Sequence, residues 1–178
     1  WIHNSIFQAS FKNFLFTMRE IEDDYEVFVE FLARNEPVIV KSITKNWKLQ
    51  ASSLLQPNEA LLRTKVPVDI VGNDKRVTME FGDFLDLASK ENILYCKDWH
   101  VDRCSELRGL YDVPACFQDD WLNWYWHSVV PQEYPAEDKD DYSFCYVGTT
   151  GSSTDFHHDV CYSYSWSVNL LGIKKWRL

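Results

Sequence analysis

The stretch GSSTDFHHDVCYSYSWSVNLLGIKK, Gly151 to Lys175, decides how the rest of the chain is read. Within it lies His157-His158-Asp159. In an extended strand residues i and i+2 project to one face, so His157 and Asp159 aim at a common point and His158 aims away from it. A neutral imidazole and a carboxylate at that spacing supply two members of a 2-His-1-carboxylate set, which holds Fe(II) and leaves positions open for substrate and O₂. The tripeptide alone describes the polar end of a strand equally well, so its surroundings carry the choice. Thr154 precedes His157, and Gly172-Ile173-Lys174 follows an alternating run. In that run Ser163, Ser165, Ser167 and Asn169 share one face, and Tyr164, Trp166, Val168 and Leu170 share the other. A polar face backed by a bulky one is the pattern of a barrel wall with a wet lumen and a packed outside.

Working back toward the start, Tyr142 to Val147 reads as a strand, and Thr149 to Ser152 as the turn that leads into the His157 segment. Val130 to Asp141 holds two Pro and several acids and is expected to be a solvated loop. Asp119-Asp120 caps a helix over Trp121, Trp124, Tyr125 and His127. Ile93 to Asp98 is a strand; Phe81, Phe84, Leu85 and Ala88 mark a helix. Val66 to Val71 and Arg76 to Met79 form a hairpin across Gly72-Asn73-Asp74-Lys75. Gln56 to Thr64 is a short helix with Pro57 in its first turn. Asp23-Asp24 opens a helix whose apolar face is Tyr25, Phe28, Val29 and Leu32. Pro37 ends that helix, and Val38 to Val40 begins a strand.

In this order, "PVIVKSITKNW", "YCKDWH", "DDWLN", "YSFCYVG" and "SYSWSVN…GIKKW" resemble the JmjC oxygenases, from about Pro37 to the last residue. The resemblance implies a mixed α/β, mainly β fold: a double-stranded β-helix of the cupin or jelly-roll type with flanking N-terminal helices. It implies Fe(II), O₂ and 2-oxoglutarate as cosubstrate, with His157 and Asp159 as metal ligands. It assigns Lys174 and Thr154 to the far carboxylate of 2-oxoglutarate, with Lys175 on the opposite face. It assigns Tyr95 to the same carboxylate, where the residues alone read equally as a core aromatic. Within the family, the closer likeness is to a branch that hydroxylates a lysine of the eukaryotic translation termination factor. The expected partner is therefore a lysine-bearing loop of that protein.

The family's third ligand is a distant downstream His, and no His follows His158. The chain starts at Trp1 without Met. The expectation is the front part of a single JmjC domain, incomplete at its C-terminus, with residues 1–36 a helical arm and 37–178 the sheet and helices of the barrel. Three other readings stand beside the hydroxylase. They are a noncatalytic fragment or binding module, a cupin-like protein that does not use 2-oxoglutarate, and a JmjC histone lysine demethylase; no chromatin-reading module accompanies the last.

Composition limits the partners. With 27 acids against 18 bases the net charge is −9, which disfavours nucleic acid and suits a basic substrate. Five Cys, at 96, 104, 116, 145 and 161, is an odd number without framework spacing, which points to a reducing compartment. No apolar run reaches the ~20 residues of a membrane helix, and no signal peptide is evident. A soluble cytoplasmic protein is expected. Cys96, His100 and Cys104 would line up on a helix as soft metal ligands, but the residues before His100 read as strand, so ordinary packing is the stronger reading.

Overall fold

The computed structural model describes residues 8–11, 14–90, 93–130 and 141–177. The chain divides into two compact units that interleave in sequence. One takes Trp1–Ala51, Tyr111–Asp119 and Phe156–Leu178; the other takes Ser52–Leu110 and Asp120–Asp155.

The second unit is built on a four-stranded antiparallel sheet. Its strands are β5 (Lys65–Ile70), β6 (Asn73–Glu80), β7 (Leu94–His100) and β8 (Phe144–Gly148), in the order β6-β5-β7-β8. Gly72, at φ 87°, makes the expected β5–β6 turn, a conformation glycine enters without a Cβ penalty. Alternation sets the two faces. Val66, Val68, Leu94, Cys96 and Trp99 are buried on one side, under helix α4 (Phe81–Ala88). The buried rings of Phe81 and Trp99 lie 5.0 Å apart there. Burying each such side chain is worth roughly 1.5–3 kcal/mol. The opposite face carries Asp69, Arg76, Tyr95, Asp98 and Tyr146, joined to one another by hydrogen bonds and ring contacts. Helix α3 (Glu59–Leu62) starts at Asn58, whose side chain accepts from Leu61 N at 2.8 Å. Helix α5 (Trp121–Trp124) starts at Asp120, which accepts from Asn123 N at 3.0 Å, and runs into a π-turn over Tyr125–Val129.

The first unit pairs β1 (Gln8–Phe11) with β2 (Phe14–Thr17), and β3 (Arg19–Ile21) in parallel with β4 (Val38–Val40). Helix α1 (Tyr25–Ala33) joins β3 to β4, and Asp24 caps it by accepting from Val27 N at 3.2 Å. Its neighbour Asp23 instead accepts from Cys116 N at 3.0 Å and Ala115 N at 3.3 Å, and those bonds, with the Cys116 thiol foremost, hold its carboxyl below the usual range. Helix α2 (Ala51–Leu55), which belongs to the second unit except for its first residue, is a five-residue piece that the sequence reading did not anticipate. An aromatic cluster holds the last segment: Trp166 stacks on Phe117 at 5.1 Å and lies 6.3 Å from Trp47.

Several expectations change. Among the described residues, 8–11 and 14–21 are mostly strand, so within the arm expected over 1–36 the described helix is α1. The stretches Thr154–Val160 and Tyr162–Leu170 are not strands, and Lys174–Leu178 is reduced to a bridge at Trp176, with residue 178 outside the described set. Among the described residues, then, there is no double-stranded β-helix, only the antiparallel sheet and the two smaller pairs. The physical reason is that alternation prepares a strand but a ladder partner makes one, and the His157 segment has no partner strand among the described residues. Its bulky face is also only partly packed: Trp166, Val168 and Leu170 are half-buried, while Tyr164 is exposed. The loop expected over 130–141 falls largely outside the described residues, but Asp141 at its end is 4% exposed rather than solvated.

Candidate active site

Each predicted site residue has a definite setting. His157 and Asp159 come together without a strand: His157 Nε2 lies 3.4 Å from Asp159 Oδ1. Asp159 has extended backbone, φ −72° and ψ 166°, and then the chain turns at Val160–Tyr162, where Cys161 and Tyr162 take φ 54° and 53°. That turn lays Tyr162 against His158, ring centroids 4.3 Å apart. His158 is thereby occupied by an aromatic neighbour, while His157 and Asp159 face each other.

Two ligands at about 2.1 Å from an octahedral ion and at right angles to it lie roughly 3 Å from one another. The His157–Asp159 separation therefore fits two adjacent positions of a borderline ion such as Fe(II), and both side chains are open enough to admit one. Among the described residues no group of three His, Cys, Asp or Glu gathers into a metal cage. This pair supplies two ligands, and a complete site needs a donor beyond it.

Lys174 is half-buried and Lys175 exposed. Lys174 Nζ sits 4.1 Å from the centre of the Trp176 ring. Burial lowers its pKa, so an anion that reached it would be favoured by relieving that desolvation.

Tyr95 and Thr154 belong to the other unit. A hydrogen bond joins their hydroxyls. Burial pushes the Tyr95 phenol up, the Thr154 bond opposes it, and the negative charge of Asp98 adds to the rise. In the ladder Tyr95 stands between Asp69 on β5 and Gly148 on β8, and its ring lies 5.9 Å from that of Tyr146. Lys97, two residues further along β7, is half-buried.

Two features escaped the sequence reading. Asp98 sits at φ 60° in a bulge of β7 and binds Arg76 and Tyr146. Asp141 is buried between His100, at 3.0 Å, and Arg103, at 3.1 Å. His100 Nδ1 approaches that carboxylate without the alignment of a hydrogen bond. A groove of about 190 Å³ borders this pair, lined among others by Thr64, Lys65, Asp98 and Trp99. No spacing rule reports either feature, because both depend on register. Cys96 and His100 lie on a strand, not a helix, so the spacing of four with Cys104 does not form one ligand face.

The chain is a mixed α/β protein with an antiparallel sheet of one apolar and one polar face, and it carries a His-x-Asp pair set close at the head of a turn. No protein-family model matches the chain. It is 35% identical over 175 residues to the 2-oxoglutarate and iron-dependent oxygenase JMJD4 of Danio rerio, covering 85% of this chain and 39% of that protein. It is 46% identical over 90 residues to JMJD4 of Gallus gallus, covering 51% of this chain and 19% of the relative. It is also 33% identical over 181 residues to the arginine-specific demethylase JMJ20 of Arabidopsis thaliana, covering 87% and 39%. The chain belongs to the JmjC family, and it spans about two-fifths of the length of the relatives it matches most fully.

Proposed function

We propose that the protein containing this chain is an Fe(II)- and 2-oxoglutarate-dependent oxygenase, and more narrowly a protein hydroxylase acting on a lysine-bearing loop of the translation termination factor in the cytoplasm. The observation that carries the oxygenase reading is the 3.4 Å approach of His157 Nε2 to Asp159 Oδ1. It occurs in a chain 35% identical to a protein named for iron and 2-oxoglutarate. The narrower substrate rests on the resemblance of "YCKDWH", "DDWLN" and "SYSWSVN" alone. Nucleic acid and membrane have no place in this reading. The charge of −9 suits a basic protein loop. Among the described residues no helix is long and apolar enough to cross a membrane.

When bound, ferrous iron with 2-oxoglutarate supplies the activation of O₂ for oxygen insertion into a C–H bond. His157 and Asp159 would supply two of the ligands that hold the ion. The resemblance assigns Lys174, Thr154 and Tyr95 to the distal carboxylate of the cosubstrate. Lys174 is supported by its half-buried, desolvated ammonium. Tyr95 and Thr154 are supported by their mutual hydrogen bond on a polar sheet face.

A second reading, demethylation of a basic residue, is favoured by the 33% identity to an arginine-specific demethylase. A noncatalytic binding module is the third. Conversion of 2-oxoglutarate to succinate by the full-length protein with Fe(II), for wild type and His157→Ala, separates the two oxygenase readings from the binding module, and the product on the protein substrate separates the oxygenase readings from each other. Hydroxylated lysine on the termination factor, read by mass spectrometry, supports the narrower proposal. Loss of methyl groups from a histone peptide supports the second reading. Turnover that is equal in His157→Ala rules out the metal assignment.

A further inference from the structure

Strand β7 contains one residue more than its ladder requires. Cys96 pairs with Val147 and Trp99 with Cys145, so Lys97 and Asp98 together stand opposite Tyr146. Such a bulge re-aims side chains. Here it keeps Trp99 in the core with Leu94 and Cys96, while Asp98 joins the polar face that holds Tyr95. Asp98 takes φ 60° to do so, a left-handed conformation that Gly enters freely and Asp enters with strain. Outliers of this kind persist only where their surroundings hold them.

The surroundings use both carboxylate oxygens. Asp98 Oδ1 accepts from the Tyr146 hydroxyl at 3.0 Å, and Oδ2 accepts from Arg76 Nη2 at 2.9 Å. Arg76 is also forked onto Asp69 at 2.8 and 3.1 Å, and Asp69 is the ladder neighbour of Tyr95. Tyr146 presses its ring toward Tyr95 from the other strand, at 5.9 Å. A bulge that served only to bend the strand would be met by Gly at lower backbone cost. The carboxylate adds two acceptors, and each ties down a neighbour of Tyr95.

We propose that Asp98 is a positioning residue: from the bulge of β7 it fixes Tyr146 and Arg76, and through them the Tyr95 ring, so that the Tyr95 hydroxyl meets Thr154. Its consequence for cosubstrate binding rests on the oxygenase reading above; the positioning itself does not. Asp98 touches neither metal nor substrate in this assignment. It acts only through Tyr95.

The test is ¹⁹F NMR of the full chain labelled with 3-fluorotyrosine, with the Tyr95 signal assigned by Tyr95→Phe. Asp98→Gly relieves the backbone and removes both acceptors, so its unfolding midpoint is expected to stay near that of wild type while the Tyr95 signal shifts and broadens. Tyr146→Phe keeps the ring, loses the bond to Asp98, and is expected to move the signal in the same direction. Asp98→Asn retains an acceptor for Tyr146 and is expected to move it least. If Asp98→Gly does not fold, Tyr146→Phe decides. An unchanged Tyr95 signal in the folded variants overturns the proposal. Adding 2-oxoglutarate with a diamagnetic divalent ion to wild type probes the oxygenase reading separately. A signal that does not respond counts against cosubstrate contact at Tyr95 and leaves the comparison of variants to decide Asp98.

Discussion

Gly148 stands directly across the β7–β8 ladder from Tyr95, and a Cβ at Gly148 would lie 3.1 Å from Tyr95 Cδ2 while colliding with Ser152 Oγ. The strand is bare at that point because the aromatic ring and the following turn occupy the space a side chain would need. Gly148→Ala is therefore expected to displace Tyr95 or open the Thr149–Ser152 turn. The expected cost is about 1–3 kcal/mol of stability, as in overpacked cores, read as a lowered denaturant midpoint with unchanged slope.

His157 and Asp159 are exposed enough that their mutual contact contributes little to folding. Replacing either with Ala should leave the unfolding free energy within about 0.5 kcal/mol. Fe(II) affinity and iron-dependent 2-oxoglutarate turnover in the full-length protein should collapse for both variants. His158→Ala, which loses the ring contact with Tyr162, should retain metal binding. Equal behaviour of all three variants would contradict the ligand assignment.

Lys174 gives a pH signature. Burial lowers its folded pKa below the ordinary 10.5. In the window between the lowered value and 10.5 the unfolded chain keeps a proton that the folded chain has released, so stability rises with pH there. Lys174→Met should flatten that rise, and Lys175→Met, at an exposed site, should not. Stability measured by denaturation across alkaline pH checks both. In turnover, Lys174→Ala should raise the requirement for 2-oxoglutarate more than Lys175→Ala does.

Asp141 is buried against a His and an Arg. Asp141→Ala leaves both without that carboxylate, and about 1–3 kcal/mol of stability should be lost. Because β8 begins just after it, with Val101 N donating to Ser143 O at 2.9 Å, amide exchange in Phe144–Cys145 should quicken.

The cysteines should separate under alkylation. Cys161 is exposed, whereas Cys96, Cys104 and Cys116 are buried. Burial pushes the thiols of Cys116 and Cys145 up to about 12 and that of Cys96 higher still. Since the thiolate is the nucleophile, iodoacetamide near pH 8 should modify Cys161 alone until the chain unfolds. Mass spectrometry of the native protein reads this directly; early labelling of Cys96 would contradict the packing of β7.

Local signals carried a good part of the fold. Asp24 before Tyr25 acts as a cap, Gly72 makes the hairpin turn, and Phe81 with Phe84 marks α4. Each depends on neighbours within a few residues. Only part of α1 followed the expected stripe, since Phe31 is its buried residue. What stayed hidden depends on distant pairing. The bulge at Asp98 shifts strand parity by one, and no alternation rule anticipates which residue will be doubled. Asp141 looks like one more acid in an acidic stretch until His100 and Arg103 close on it. The His-x-Asp pair was legible as chemistry but not as a strand, because a strand depends on what lies beside it.

The order β6-β5-β7-β8 also sets an order of assembly. β5 and β6 meet across a short turn, so their pairing forms early. Tyr95 meets Gly148 and Thr154 only after the chain has travelled out through Trp121–Trp124 and back, a closure whose entropic cost is met before any contact rewards it. The β7–β8 side of the polar face is therefore expected to be completed late in the folding of its unit, after the β5–β6 hairpin that carries Asp69 and Arg76.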